Sequence, residues 1–155
     1  MVLVNSSAQT EIKIVKLDFN YSNNFEKMEL QSVKALYGYV DLNATPGNGV
    51  LLITSDSGET LYSMRVGLII SPILINPPEI DVDTNETAGE TEEMPEEGYA
   101  TVHVPYYENM STVKIILDQN GKLFEFPVKA RLCDADGQCD KEESAISCEI
   151  DCPAD

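Results

Sequence analysis

Basic side chains are scarce in this 155-residue chain: ten lysines and arginines face 27 aspartates and glutamates, for a formal net charge of −17. That balance excludes nucleic acid as a partner, because phosphates demand a basic stripe. It excludes binding to anionic lipid headgroups for the same reason. The longest apolar stretch, Val66 to Ile75, is interrupted by Ser71 and Pro72 and falls short of the about 18–20 residues that cross a bilayer. No secretory signal opens the chain, since Met1-Val-Leu-Val-Asn-Ser-Ser7 has neither a charged start nor a long apolar run. An extracellular location would therefore mean a signal removed ahead of this sequence. Cysteine is absent from the first 132 residues, histidine occurs once, and no glycine-rich phosphate loop follows a strand.

The acids that are present are unevenly placed. Residues 76–98 hold nine acids and no base, the tail 133–155 holds eight acids and Lys141, and the rest is nearly neutral. Cations and basic surfaces fit such segments as partners, although acidity also serves solubility alone.

No segment keeps a 3.6-residue apolar period, and the body reads as β. Ile12 and Ile14 alternate with lysine; the phase then slips, and Leu17, Phe19 and Tyr21 continue from Val15, which predicts a β-bulge. Met28 and Leu30 lead into a strand over Val33 to Leu42. Two hairpins are predicted by their turns, Val50–Thr54 with Leu61–Ile70 about Ser55-Asp-Ser-Gly58, and Val113–Leu117 with Leu123–Val128 about Asp118-Gln-Asn-Gly121. Tyr99 to Val104 alternates and stops at Pro105, as an edge or terminating strand does. Proline, glycine and carboxylates over 76–98 predict a mobile loop or linker. Roughly seven turn-punctuated strands give an all-β, antiparallel, immunoglobulin-like sandwich over 1–132, followed by a small cysteine-rich module over 133–155.

All four cysteines lie in that module, as Cys133, Cys139, Cys148 and Cys152, spaced C-x5-C-x8-C-x3-C. So short a segment buries too little apolar surface to order itself and needs covalent staples or a metal. Structural zinc sites favour short cysteine pairs at both ends, which gaps of five and eight do not supply. Two disulfides are expected, in any of three connectivities, and with them an oxidising compartment. Asp134, Asp136, Asp140 and Glu143 surround Gly137 with the hard oxygens that Ca²⁺ takes. An EF-hand is excluded, since its loop wants glycine sixth and glutamate twelfth, and here they stand fourth and tenth counted from Asp134. The alternative is a solvated acidic tail without an ion.

Five positions, Asn5, Asn20, Asn43, Asn85 and Asn109, read Asn-x-Ser/Thr, where the composition predicts roughly one by chance. They are candidate N-glycosylation sites, although asparagine, serine and threonine also concentrate in turns.

The tail resembles a module, Cys-Gly-Asp-Gly-x-Cys-Asp…Glu…Cys-x-x-Asp-Cys, that ends secreted archaeal and some bacterial cell-surface proteins. Asp136-Gly137, Cys139-Asp140, Glu143 and Cys148-Glu-Ile-Asp151-Cys152 match it, while the first gap here is five residues instead of four. Gly98 to Tyr107 and Thr112 to Lys122 are similar to the closing strands of sandwich domains on such proteins. The resemblance implies a surface location and a membrane anchor beyond Asp155, and it implies no reaction.

An enzyme finds little support. His103 sits mid-strand on what reads as a polar face, and most carboxylates lie in segments too loose to hold a catalytic pair. Tyr37, Tyr39, Tyr106 and Tyr107 read either as an aromatic contact patch or as core. The expectation is a non-catalytic extracellular module of a larger anchored protein, with a structural or protein-interaction role. Its alternatives are a filament subunit joined to a neighbouring subunit by strand exchange, and a calcium-binding surface protein.

Overall fold

A computed structural model of the chain describes residues 10–44, 46–70, 73–74, 92–93 and 96–153. The strands, in chain order, are β1 (Ile12–Ser22), β2 (Met28–Gly38), β3 (Gly49–Ser55), β4 (Thr60–Val66), β5 (Ile73–Leu74), β6 (Glu92–Glu93), β7 (Glu97–Pro105), β8 (Met110–Leu117) and β9 (Leu123–Pro127). One helical turn, α1 (Lys129–Leu132), follows β9.

Seven of these strands form two antiparallel sheets, ordered β2-β1-β7 and β4-β3-β8-β9, with β5 and β6 paired apart from them. The fold is the expected antiparallel sandwich, three strands on four. The first strand sits in the middle of its sheet, a place that an immunoglobulin constant domain gives to its second.

Period-two alternation builds the core. Val15, Leu17 and Phe19 of β1 point inward with Val33 and Ala35 of β2 and Val102 and Val104 of β7; they meet Leu51 and Ile53, Met64 and Val66, and Val113, Ile115 and Leu117 from the other sheet. Each of these side chains other than Ala35 contributes about 1.5–3 kcal/mol when removed from water. Phe19 and Phe126 join the sheets ring to ring at 5.5 Å. Both predicted hairpins form, and Gly58 and Gly121 take the positive φ angles, 86° and 67°, that their turns require.

Two expectations need correction. The phase slip at Ile14–Val15 is not a bulge, because the register against β2 runs unbroken from Ile12 to Asp18. Ile14 and Val15 face opposite sides of the sheet and are both buried. The register shifts later, between Asp18 and Phe19, where Gln31 of β2 is the unpaired residue. The second correction is α1: four residues are too few to show a helical period, yet this turn seats Leu132 in the core.

Within the acidic 76–98 stretch, Glu92–Glu93 pairs with Ile73–Leu74, and Glu97 and Gly98 open β7. Its other residues, apart from Glu96, lie outside the described ones.

Three of the four sheet edges are met by other parts of the chain. On β7, Asp41 donates its amide to the His103 carbonyl at 3.0 Å and accepts the His103 amide at 2.8 Å. On β4, Asn43 Oδ1 accepts the Arg65 amide at 2.7 Å. On β2 the partner is the cysteine-rich tail. Among the described residues, no strand pairs with the outer edge of β9 (Leu123–Pro127).

Candidate functional site

The tail's interior is not aliphatic. Its buried residues are Cys148, Cys152, Glu143 and Asp151, with Glu143 2% and Asp151 5% exposed. Two disulfides, Cys133–Cys148 and Cys139–Cys152, interleave across the segment and leave no cysteine free. They close loops in the range where a cross-link stabilises by about 3 kcal/mol.

Two buried carboxylates organise the backbone between the disulfides. Glu143 accepts the amides of Asp140 at 2.9 Å and Asp134 at 3.1 Å, one on each oxygen. Asp151 does the same for Gly137 at 2.9 Å and Asp136 at 3.2 Å. The segment wraps around these acceptors with Ala135 and Gly137 at positive φ, 57° and 85°. Glycine takes that conformation freely, whereas alanine takes it at a cost.

The consequence is a convergence of oxygens. One carboxylate oxygen from each of Asp134, Asp136, Asp140 and Glu143 lies within 4.8 Å of all the others. Two oxygens on opposite sides of a Ca²⁺ ion stand about 4.8 Å apart, twice a bond of about 2.4 Å. The four residues singled out in the sequence are therefore together within a span that one ion could bridge. Ionised carboxylates have about four lone-pair sites, so those of Glu143 keep acceptor capacity after receiving two amides. Cys133 and Cys148 also lie beside Glu143 and Asp151, but their sulfurs are bonded to each other and offer no thiolate.

Electrostatics in the cluster split two neighbouring acids. Partial desolvation, then the carboxylates of Asp151, Asp140 and Asp136, push Asp134 up to about 6, against the pull of the Asp136 amide. Burial would raise Asp151 as well, but the amides of Gly137 and Asp136 and shared protons with Glu143 and Asp134 hold it below its ordinary value. The cluster thus concentrates carboxylates, while Arg131 and Lys141 line the same cavity as Asp134 and Asp140.

The tail is fastened to the sandwich at two places. Arg131 bridges to Glu142 at 2.6 Å and donates to the carbonyls of Leu30 at 2.9 Å and Gln31 at 3.3 Å, while Glu142 accepts the Val33 amide at 2.9 Å. Those are open-edge groups of β2, satisfied by a salt-bridged pair. Ile146 packs against the main core, and Ser147 donates to the Leu132 carbonyl at 2.8 Å.

Asp151 and Glu142 were not among the predicted site residues. The Cys-x-x-Asp-Cys spacing marks Asp151 as part of the module, but not as an amide acceptor. Nothing in the local sequence distinguishes Glu142 from Glu143, one facing the sandwich and the other the tail's centre. Of the sequons, Asn20 is half-buried on β1, and Asn43 and Asn109 are exposed; Asn5 and Asn85 lie outside the described residues. His103 is half-buried, with its Nδ1 3.2 Å from Asp41 Oδ1. Tyr37 and Tyr39 are 59% and 48% exposed, whereas Tyr106 and Tyr107 pack on the core margin.

No helix among the described residues is long and apolar enough to cross a membrane. No family model matches the chain, and no curated protein or solved structure does either.

Proposed function

We propose that the chain is a non-catalytic, extracellular β-sandwich module of a cell-surface protein, with a structural or protein-interaction role. The supporting observation is the tail itself, a segment whose interior is two disulfides and two carboxylates. Disulfides persist outside the reducing cytosol, and a segment built this way keeps its order only there. The exposed sequons Asn43 and Asn109 and the aromatic pair Tyr37 and Tyr39 are compatible with such a surface. Among the described residues the edge with no partner is β9, where Glu125 and Pro127 both discourage the pairing that strand exchange into a filament needs; that weighs toward the module. Mass spectrometry of protein from its native source, with and without reduction, tests the reading. Two disulfides and glycan mass at Asn43 or Asn109 support it, and free thiols with unmodified asparagines contradict it.

A second reading has its own support. The convergence of Asp134, Asp136, Asp140 and Glu143 favours Ca²⁺ binding in the tail, and Asp151 holds the loop that presents them. The ion would offset like-charge repulsion and fix the tail against the β2 edge. A thermal midpoint that rises with millimolar Ca²⁺ and returns with chelator supports this reading, and an unchanged midpoint removes it.

A further inference from the structure

The outer face of the three-stranded sheet carries an arrangement that the readings above leave unused. Lys16 on β1 stands directly opposite Lys34 on β2 and directly opposite His103 on β7. Lys16 and Lys34 thus form the like-charged pair of one row across the sheet, at a strand spacing of about 4.8 Å, and His103 completes that row with its Nδ1 3.2 Å from Asp41 Oδ1. Like charges directly opposite one another destabilise a sheet, and this row sits in a chain with only ten lysines and arginines.

The tail adds a third lysine. Lys141 borders, with Lys16 and Lys34, a groove of about 380 Å³ between the sheet face and the tail. Two acids also line that groove. Asp18 accepts from Ser32 at 2.6 Å and Thr101 at 2.5 Å, and Glu142 is held by Arg131 and the Val33 amide. Among the described residues, none of the three lysines lies within salt-bridge distance of an acid. Three lysines against two carboxylates, one of them paired with Arg131, leave the groove net cationic on a strongly acidic chain.

The chain also carries the complementary charge. Residues 76–91 include Glu79, Asp81, Asp83, Glu86 and Glu90 and no base, and Glu79-Ile-Asp-Val-Asp83 alternates acid with aliphatic. In an extended peptide that alternation lays the acids on one side. The segment joins the paired residues Leu74 and Glu92.

We propose that the Lys16–Lys34–Lys141 groove is a docking site for the acidic 76–91 segment of a second copy of this chain. The contact is electrostatic and local, so it does not depend on the location reading or on an ion in the tail. Salt separates it from overall repulsion between acidic copies. At about 0.01 M salt the screening length of about 30 Å leaves whole-molecule repulsion dominant, and at about 1 M the length of about 3 Å removes the local attraction. Association is strongest near about 0.1 M, where screening extends about 10 Å.

Sedimentation velocity across that salt range tests the proposal. The full chain is expected to self-associate near about 0.1 M and less at both extremes. The double variant Lys16→Glu/Lys34→Glu should associate at least about tenfold more weakly, because like charges then meet at the contact. Both lysines are exposed, and an unchanged thermal midpoint checks that folding is intact. A second variant, Glu79→Gln/Asp81→Asn/Asp83→Asn, should also be monomeric, and mixing the two variants should yield only the heterologous pair missing from each alone. Monomeric wild type throughout overturns the proposal, as does association that survives the lysine reversal. Lysine-dependent binding of heparin without self-association also overturns it, in favour of an anionic polysaccharide.

Discussion

Val33 donates its amide to Glu142 Oε2 at 2.9 Å across 109 residues of sequence. An edge strand offers free N–H and C=O groups to any passing strand, and here a tail carboxylate occupies one while Arg131 occupies two carbonyls. Replacing Glu142 with alanine strips the Val33 amide and leaves Arg131 half-buried without its partner, a loss of about 1–3 kcal/mol. Glu142→Gln keeps an acceptor and should lose less. Native-state hydrogen exchange reads the effect directly, with Val33 losing protection while core amides of β1 keep theirs.

The acid cluster sets a pH dependence whose sign follows from two opposite shifts. Folded Asp134 keeps its proton up to about 6, against an ordinary 3.8. Between those values the folded tail binds more protons than the unfolded one, so stability falls as pH rises through that window. Asp151 is lowered, so its contribution is present above 3.8 and is lost as pH falls below it. Without divalent cations, the tail should be most stable near about pH 4 and loosen toward pH 6. Exchange of the Gly137 amide, corrected for its intrinsic pH dependence, measures this, and protection that increases from pH 4 to 6 would contradict it.

Asp134→Asn separates repulsion from ligation. Removing one negative charge from the cluster should raise the thermal midpoint of the metal-free protein. The same change removes a ligand oxygen, so the response to Ca²⁺ should shrink or vanish. Calorimetry with chelator and with Ca²⁺ gives both numbers, and a variant that matches wild type in both states would detach Asp134 from the site.

Gly98 lies against the face of Tyr21. A methyl group there would collide with Tyr21 Cε2 and would meet Ile70 Cγ1 at 2.8 Å. Tyr21 is 2% exposed and is tied by its hydroxyl to the Ile69 carbonyl at 2.8 Å, so the ring has little room to withdraw. Gly98→Ala should destabilise by about 1–3 kcal/mol, the usual cost of overpacking, as read by urea denaturation.

Strands and turns were legible because both are local. Alternation placed Leu17, Phe19, Val102 and Val104 inward, and the Asn120-Gly121 turn placed its hairpin. Ile14 misled because alternation cannot tell an outward residue covered by neighbours from one that changes phase. The tail was legible in its parts: a cysteine count gives two disulfides, and carboxylates around a glycine give a candidate cation loop. Which cysteines pair, and which of Glu142 and Glu143 turns inward, depends on where the sandwich lies relative to the tail. That is long-range information, and no local spacing contains it.

The central claim is that interleaved disulfides, not an aliphatic core, order the tail. Proteolysis of unreduced, denatured protein followed by peptide mass analysis tests it most directly. The account predicts Cys133 linked to Cys148 and Cys139 linked to Cys152, with no thiol available to alkylation. Four alkylated cysteines in protein purified without reductant would contradict it.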